Sequence, residues 1–150
     1  MAVAVDEASG GHPIAAAIAR LACSVDAGLA ASTVGMTQVE ARQLLVDLEV
    51  QERRVHALRL RLVRESVSHD STVEPGGTAG GRGPRAPRTA TAAWMRSALR
   101  VTSARARGEV RAAGLTDPDS GDLRELGSAL AAGTTSASHT QVACRAMTRR

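Results

Sequence analysis

Between Ala41 and Leu62 the series Ala41, Leu44, Leu48, Gln51, Val55, Leu58 and Leu62 alternates steps of three and four, a heptad-like seam sustained for about three repeats. Thr37 precedes it with Glu40 three residues on, the spacing of a capping box, and the same helix is predicted to run to about Val67. At about 1.5 Å per residue it would be on the order of 45 Å long, longer than a small domain is wide. Such an element must pack several neighbours in turn or meet a second copy of itself. Two arrangements satisfy that demand. In one it pairs antiparallel with a preceding helix over about 14–31, whose Ile14, Ile18, Leu21, Val25 and Leu29 recur on one face. In the other, Leu44, Leu48, Val55, Leu58 and Leu62 form the seam of a self-association interface.

The apolar inventory leads to the same class of fold. Ala accounts for 29 of the 150 residues, whereas Leu, Ile and Val together also number 29, Phe and Tyr are absent and Trp94 is alone. Without large aromatic surfaces to anchor a core, closely packed Ala-lined helices are the remaining route, because Ala has the best helix propensity and loses no rotamer freedom. Strands are disfavoured, since β-branched and aromatic residues are sparse apart from scattered Val. The expectation is an all-α protein of four to five helices, with 1–68 as a two-helix arm, 69–88 as a flexible linker and 89–150 as a helical module. The linker holds five Gly and three Pro with little to bury. Its Gly-rich run is no phosphate cradle, for it lacks Gly-Lys-Ser/Thr and any preceding strand.

Charge is unevenly spread. All 19 basic residues are Arg, a bias that base composition of the gene accounts for as simply as selection for bidentate contacts does. From Arg82 to Arg111 eight Arg face a single acid, Glu109, so a local basic patch is expected despite a net charge of only +4. Cys23 and Cys144 are too few and too far apart in sequence for a zinc site or a disulfide framework, and are expected to be reduced and partly buried. The first residues carry acids where a signal peptide needs a basic start, and no uninterrupted apolar stretch reaches the length of a membrane helix. A cytoplasmic location, without membrane, metal or cofactor, is the expectation.

The basic patch sits on a helix-turn-helix pattern. Thr91 is positioned to cap a helix with inner positions Trp94, Met95, Ala98 and Leu99. Arg100-Val101-Thr102 makes a turn in which Thr102 caps the next helix, whose Ala106, Val110 and Ala113 face inward. Arg107 and Arg111 lie one turn apart on another face, with Arg105 flanking them and Arg96 on the preceding helix. A helix presenting that face fits a major groove, its Arg reaching phosphates or guanine edges; equally, such a pair can serve only to pack other helices. Binding to single strands is disfavoured by the lack of aromatic stacking platforms. After Gly114, expected as a C-cap, Asp117 to Asp122 resembles a calcium loop only superficially, because Asp122 and Ser128 stand where an EF-hand needs Gly and Glu. A turn that caps the next helix, 123–132 with Leu126 and Leu130 inward, is expected instead. That helix stops at Gly133, and Thr135 or Ser136 caps a last one carrying His139, Val142, Ala143 and Met147. This second helix pair loosely echoes the first.

Trp94, Leu99, Val101-Thr102, Ala106, Val110, Ala113 and Leu115, followed by Leu130-Ala131-Ala132-Gly133, Ser136 and His139, resemble the domain-of-unknown-function family two-two-two, the thirteen-E-twelve repeat proteins. Members of that family are usually found upstream of an HNH endonuclease motif. The resemblance covers Ala93 to Met147, and the long helix followed by a Gly-rich connection is similar in layout. It implies an all-helical module associated with a nuclease, not an activity. The Asp-rich turn departs from the family's pattern, as does an end at Arg150 within what should be a continuing helix. The HNH chemistry itself requires clustered His and Asn around a divalent ion, whereas His12, His56, His69 and His139 are dispersed and the chain has no Asn. No Ser/His/Asp or Cys/His arrangement stands out either.

The reading is therefore a non-catalytic helical module with no small-molecule substrate, contacting duplex DNA through Arg96, Arg105, Arg107 and Arg111. The alternatives are a protein–protein or dimerisation module acting through the long helix, and a truncated, non-functional remnant of an HNH-family protein.

Overall fold

The computed structural model describes residues 11–72 and 87–147, with side chains for 11–70 and 88–147. Among them six α-helices occur and no strand: α1 (Pro13–Ala30), α2 (Gln38–Thr72), α3 (Pro87–Ala98), α4 (Ser103–Leu115), α5 (Arg124–Ala132) and α6 (Ala137–Met147). The all-α class follows from the Ala-rich 3.6-residue periodicity. Most of the expected linker, 73–86, lies outside the described residues, as does the N-terminal segment before Gly11. The chain divides into two compact units, 1–41 and 42–150, so that nearly all of α2 belongs with the C-terminal helices rather than with an arm ending at 68.

In the first unit, His12 caps α1 by accepting a hydrogen bond at Nδ1 from the Ile14 N–H, 3.2 Å, and Pro13 opens the helix where its missing N–H costs nothing. No residue of α1 is buried, and the stripe through Ile18, Leu21, Val25 and Leu29 is exposed. With 18 residues and a mean hydropathy of 1.4, α1 is long and apolar enough to cross a membrane by length and composition, although Arg20 and Asp26 interrupt it. Cys23 is exposed, not partly buried as expected. The capping box at the start of α2 is formed: the Thr37 N–H donates to Glu40 Oε2 at 2.7 Å and the Glu40 N–H to Thr37 Oγ1 at 3.2 Å. The Thr37 N–H and the Thr37 hydroxyl, both donating to Glu40 Oε2, hold the Glu40 carboxyl below its ordinary value.

The core of the second unit consists of Leu60 and Val63 of α2, Ala92 and Met95 of α3, Ala106, Val110, Ala112 and Ala113 of α4, Leu130 of α5 and Cys144 of α6. Five of these ten are Ala or Cys, and helices lined by such side chains can approach closely. The side of α2 that enters the core is centred on Leu60, with Ala57, Val63 and Val67, and lies opposite the heptad seam. Leu44, Leu48, Val55 and Leu62 are exposed, Leu48 by 55%, and Leu58 is half-buried.

Three inner positions expected on α3 are corrected. Trp94 is 56% exposed and Leu99 and Ala98 are also exposed, while Thr91, Ala92 and Met95 face inward. The facing positions are Ala106, Val110 and Ala113, which leave room for an unbranched Met but not for an indole. Thr91 is not a cap, because it lies within α3 (Pro87–Ala98). Its buried hydroxyl donates instead to Asp70 Oδ2 on α2. Gly114 likewise lies inside α4, whose C-cap is Thr116.

Between α4 and α5 the Asp-rich segment folds as a turn. Asp117 Oδ1 accepts from the Asp119 N–H at 3.0 Å and lies 3.6 Å from Arg64 Nη1. The backbone hydrogen bond, opposed by slight burial and aided by Arg64, holds the Asp117 carboxyl below its ordinary value. The turn supplies no side-chain cap to α5, whose N-cap is Leu123. Gly133 ends α5 in the left-handed region at φ 78°. A Cβ there would lie 2.7 Å from Val50 Cγ1, and the Gly133 carbonyl accepts from Arg53 Nη1 at 3.1 Å. One glycine thus stops a helix and lets α2 approach it.

Candidate nucleic-acid interface

The turn between α3 and α4 follows the expected pattern. Thr102 Oγ1 accepts from the Arg105 N–H at 3.2 Å, capping α4 in the manner of a short polar N-cap side chain. Arg100, where such turns usually carry Gly, adopts φ 52°, a left-handed conformation that costs an L-residue about 1 kcal/mol. The two helices are thereby turned back on each other with one open groove between them.

That groove has a volume of about 450 Å³ and is lined by Arg88, Ala92, Arg96, Arg107, Val110 and Arg111 with neighbouring small residues. Helix geometry brings the cations together. Arg88 and Arg96 are eight residues apart on α3, just over two turns, and Arg107 and Arg111 are one turn apart on α4. Arg96 Nη1 donates to Ser103 Oγ at 3.3 Å. Among the described residues no carboxylate lies within ion-pair distance of any of the four. Arg88 and Arg111 also line a second depression of about 410 Å³ with Gly114, Ser120, Gly121 and Asp122. There Arg88 Nη2 passes close to Gly114, 3.5 Å from where a Cβ would stand.

Of the four sequence candidates, Arg96, Arg107 and Arg111 share this groove. Arg105 does not. Its Nε donates to Glu109 Oε1 at 2.8 Å, and Arg59 Nε from α2 donates to Glu109 Oε2 at 2.8 Å. Burial would raise the Glu109 carboxyl, but the hydrogen bonds and charges of Arg105 and Arg59 outweigh it and hold the carboxyl below its ordinary value. At 3% exposure this carboxylate is the buried partner of two partly exposed Arg side chains, of which Arg59 keeps Nη2 buried without a hydrogen-bond partner, and the cluster joins α2 to α4. Beside it, burial lowers the His56 pKa, against the pull of Glu109 and with the help of Arg59 and Arg105.

Arg88 is the member that sequence reasoning assigned to the linker. Pro87 carried the signal: a proline able to open a helix places Arg88 in the first turn and on the face of Arg96. Trp94 sits two residues from both Ala92 and Arg96, hence on the opposite side of α3 from the groove.

The seam candidates Leu44, Leu48, Val55, Leu58 and Leu62 fall on the side of α2 away from the core, as described above. Among the described residues no group of three or more His, Cys, Asp or Glu is placed to hold a metal ion. His139 stands at the start of α6, its N–H donating to Ser136 Oγ and its Nδ1 2.9 Å from the same oxygen. Cys144 is a buried free thiol raised by burial, with Arg111 opposing. No family model, curated protein or solved structure matches this chain.

Proposed function

We propose that the second unit is a non-catalytic module that binds duplex DNA through the α3–α4 groove; its resemblance to the domain preceding HNH endonucleases adds only an association with a nuclease. The observation that carries this reading is the convergence of Arg88, Arg96, Arg107 and Arg111 on one open groove, with no carboxylate within ion-pair distance of them among the described residues. Four guanidiniums at that spacing favour a polyanion, and planar forked donors suit phosphate oxygens better than point charges do. The outward side of α4 is formed by Ala104, Arg107, Gly108 and Arg111, so small residues alternate with Arg and a backbone can come near. A duplex meets that surface with phosphates on both rims of its major groove, and the same Arg can reach guanine edges. Single strands fit less well, because the one aromatic side chain is on the other side of α3.

The test is fluorescence anisotropy of a labelled duplex titrated with the full chain across a salt series. Three or four phosphate contacts give a log–log slope of about −3. Absence of binding at low salt removes the proposal.

A further inference from the structure

We propose that the outward side of α2 docks against the same side of a second copy of this chain, antiparallel, about a two-fold axis near Arg53 and Arg54. Leu44, Leu48, Val55, Leu58 and Leu62 occupy alternating a and d positions over about three heptads. The side of the helix opposite them is already used by the core through Leu60, Val63 and Val67. Most of the seam is uncovered within the unit: Leu44 is 53% exposed, Leu48, Val55 and Leu62 are exposed as well, and Leu58 is half-buried. A row of large aliphatic side chains at coiled-coil spacing on a helix anchored from behind is self-complementary, and the charges beside it decide the occupant and its direction.

From Arg42 to Glu52 α2 carries Asp47, Glu49 and Glu52 against Arg42 alone, while from Arg53 to Thr72 it carries Arg53, Arg54, Arg59, Arg61 and Arg64 against Glu65 and Asp70. The helix is therefore acidic in its first part and basic in its last. Two copies laid parallel bring Asp47 against Glu52 and Arg54 against Arg59 at the flanking positions, like against like. Two copies laid antiparallel bring each seam residue of one heptad kind against the other kind, so that Leu48 meets Leu58, Leu44 meets Leu62 and Val55 meets Gln51. The flanking positions instead pair with their own kind, so that Asp47 meets Arg61 twice, once on either side of the axis. Like charges meet only on the axis itself, where Glu52 and Arg54 each face their own copy. Asp47 and Arg61 are both exposed, and the intrahelical pair of Arg61 with Glu65 that the spacing permits is not formed, which leaves Arg61 available across the interface. Flanking charges of this kind set orientation and partner choice in helical pairs. Gln51, the one polar seam residue, fixes the register at some cost in affinity.

The experiment is sedimentation equilibrium of the full chain at about 100 µM, a concentration at which a weak two-fold pair is populated, with circular dichroism to verify the helix in each variant. Wild type is expected as a dimer. Asp47→Arg and Arg61→Asp each place two like pairs across an antiparallel interface and are expected to weaken association at least tenfold. The combined Asp47→Arg/Arg61→Asp chain restores opposite pairs and is expected to associate as wild type does. A monomeric wild type overturns the proposal. So does a dimer indifferent to both single variants, and so does one that Asp47→Arg tightens, since that change relieves repulsion only between parallel helices.

Discussion

Glu109 shows how a single residue separates the structural arginines from the available ones. Its buried carboxylate takes both Arg59 and Arg105, so Arg105, grouped with the candidate site by sequence proximity, is drawn to the opposite flank of α4 from Arg107 and Arg111. Replacing Glu109 by Ala is expected to destabilise the second unit by about 2 kcal/mol, below the usual cost of breaking a buried pair because both Arg side chains are partly exposed; urea denaturation measures it. The same cluster makes the fold sensitive to acid. Folding lowers the His56 pKa from its ordinary 6.5, so below that pH the unfolded chain takes up a proton more readily than the folded one and stability falls. Glu109, also lowered, from 4.5, contributes stability that is present above its ordinary value and is lost as pH falls through the folded one. The melting temperature is therefore expected to decline in two stages on acidification, and His56→Gln should abolish the first stage while leaving the second. Arg100 offers a gain instead. Arg100→Gly relieves a left-handed backbone and is expected to stabilise the unit by up to about 1 kcal/mol, a rise of roughly 2–4 °C by calorimetry.

At the scale of elements, what could be foreseen depends on local chemistry, although local chemistry alone also suggests caps at Thr91 and Gly114 that the structure does not form. The capping box at Thr37 and Glu40, the N-cap at Thr102, Pro13 at the head of α1, the stop at Gly133 and the cap at Ser136 each need only residues within a turn of one another, and each is present. What could not be foreseen is which side of a helix its neighbours choose. The heptad seam of α2 is the more regular of its two apolar sides, yet the core takes the other, because Leu60 and Val63 are backed by Ala57 and by the small residues of α4. Trp94 was misplaced for the same reason: the 3.6-residue period allows it inside, but the narrow gap between Ala-lined helices admits Met95. Gly133→Ala tests one such non-local demand. A Cβ at φ 78° against Val50 is expected to cost more than about 1 kcal/mol, with α2 and α5 losing amide protection together in hydrogen exchange.

For the whole molecule, the all-α class was legible because an Ala-rich chain with a single Trp and no Phe or Tyr has few other ways to bury surface, and six helices among the described residues express it. The candidate site was legible in part. Arg96, Arg107 and Arg111 were marked by their spacing, but Arg88 joins them only once α3 is seen to include it, and Arg105 leaves them only once Arg59 is seen to share Glu109 with it. The core is small, so single truncations should be costly: Leu130→Ala, at a position 1% exposed, is expected to lose about 2–5 kcal/mol, read from the denaturation midpoint. The central claim is that the α3–α4 groove is a polyanion surface while the cluster around Glu109 is a structural joint. The most direct measurement is duplex affinity across salt for Arg107→Ala/Arg111→Ala beside Arg105→Ala, each confirmed as folded by circular dichroism. The double variant should bind weakly with a log–log slope smaller in magnitude by about 2, and Arg105→Ala should keep the wild-type slope while melting earlier. Equal losses of slope in both variants, or an unchanged slope in the double variant, would contradict it.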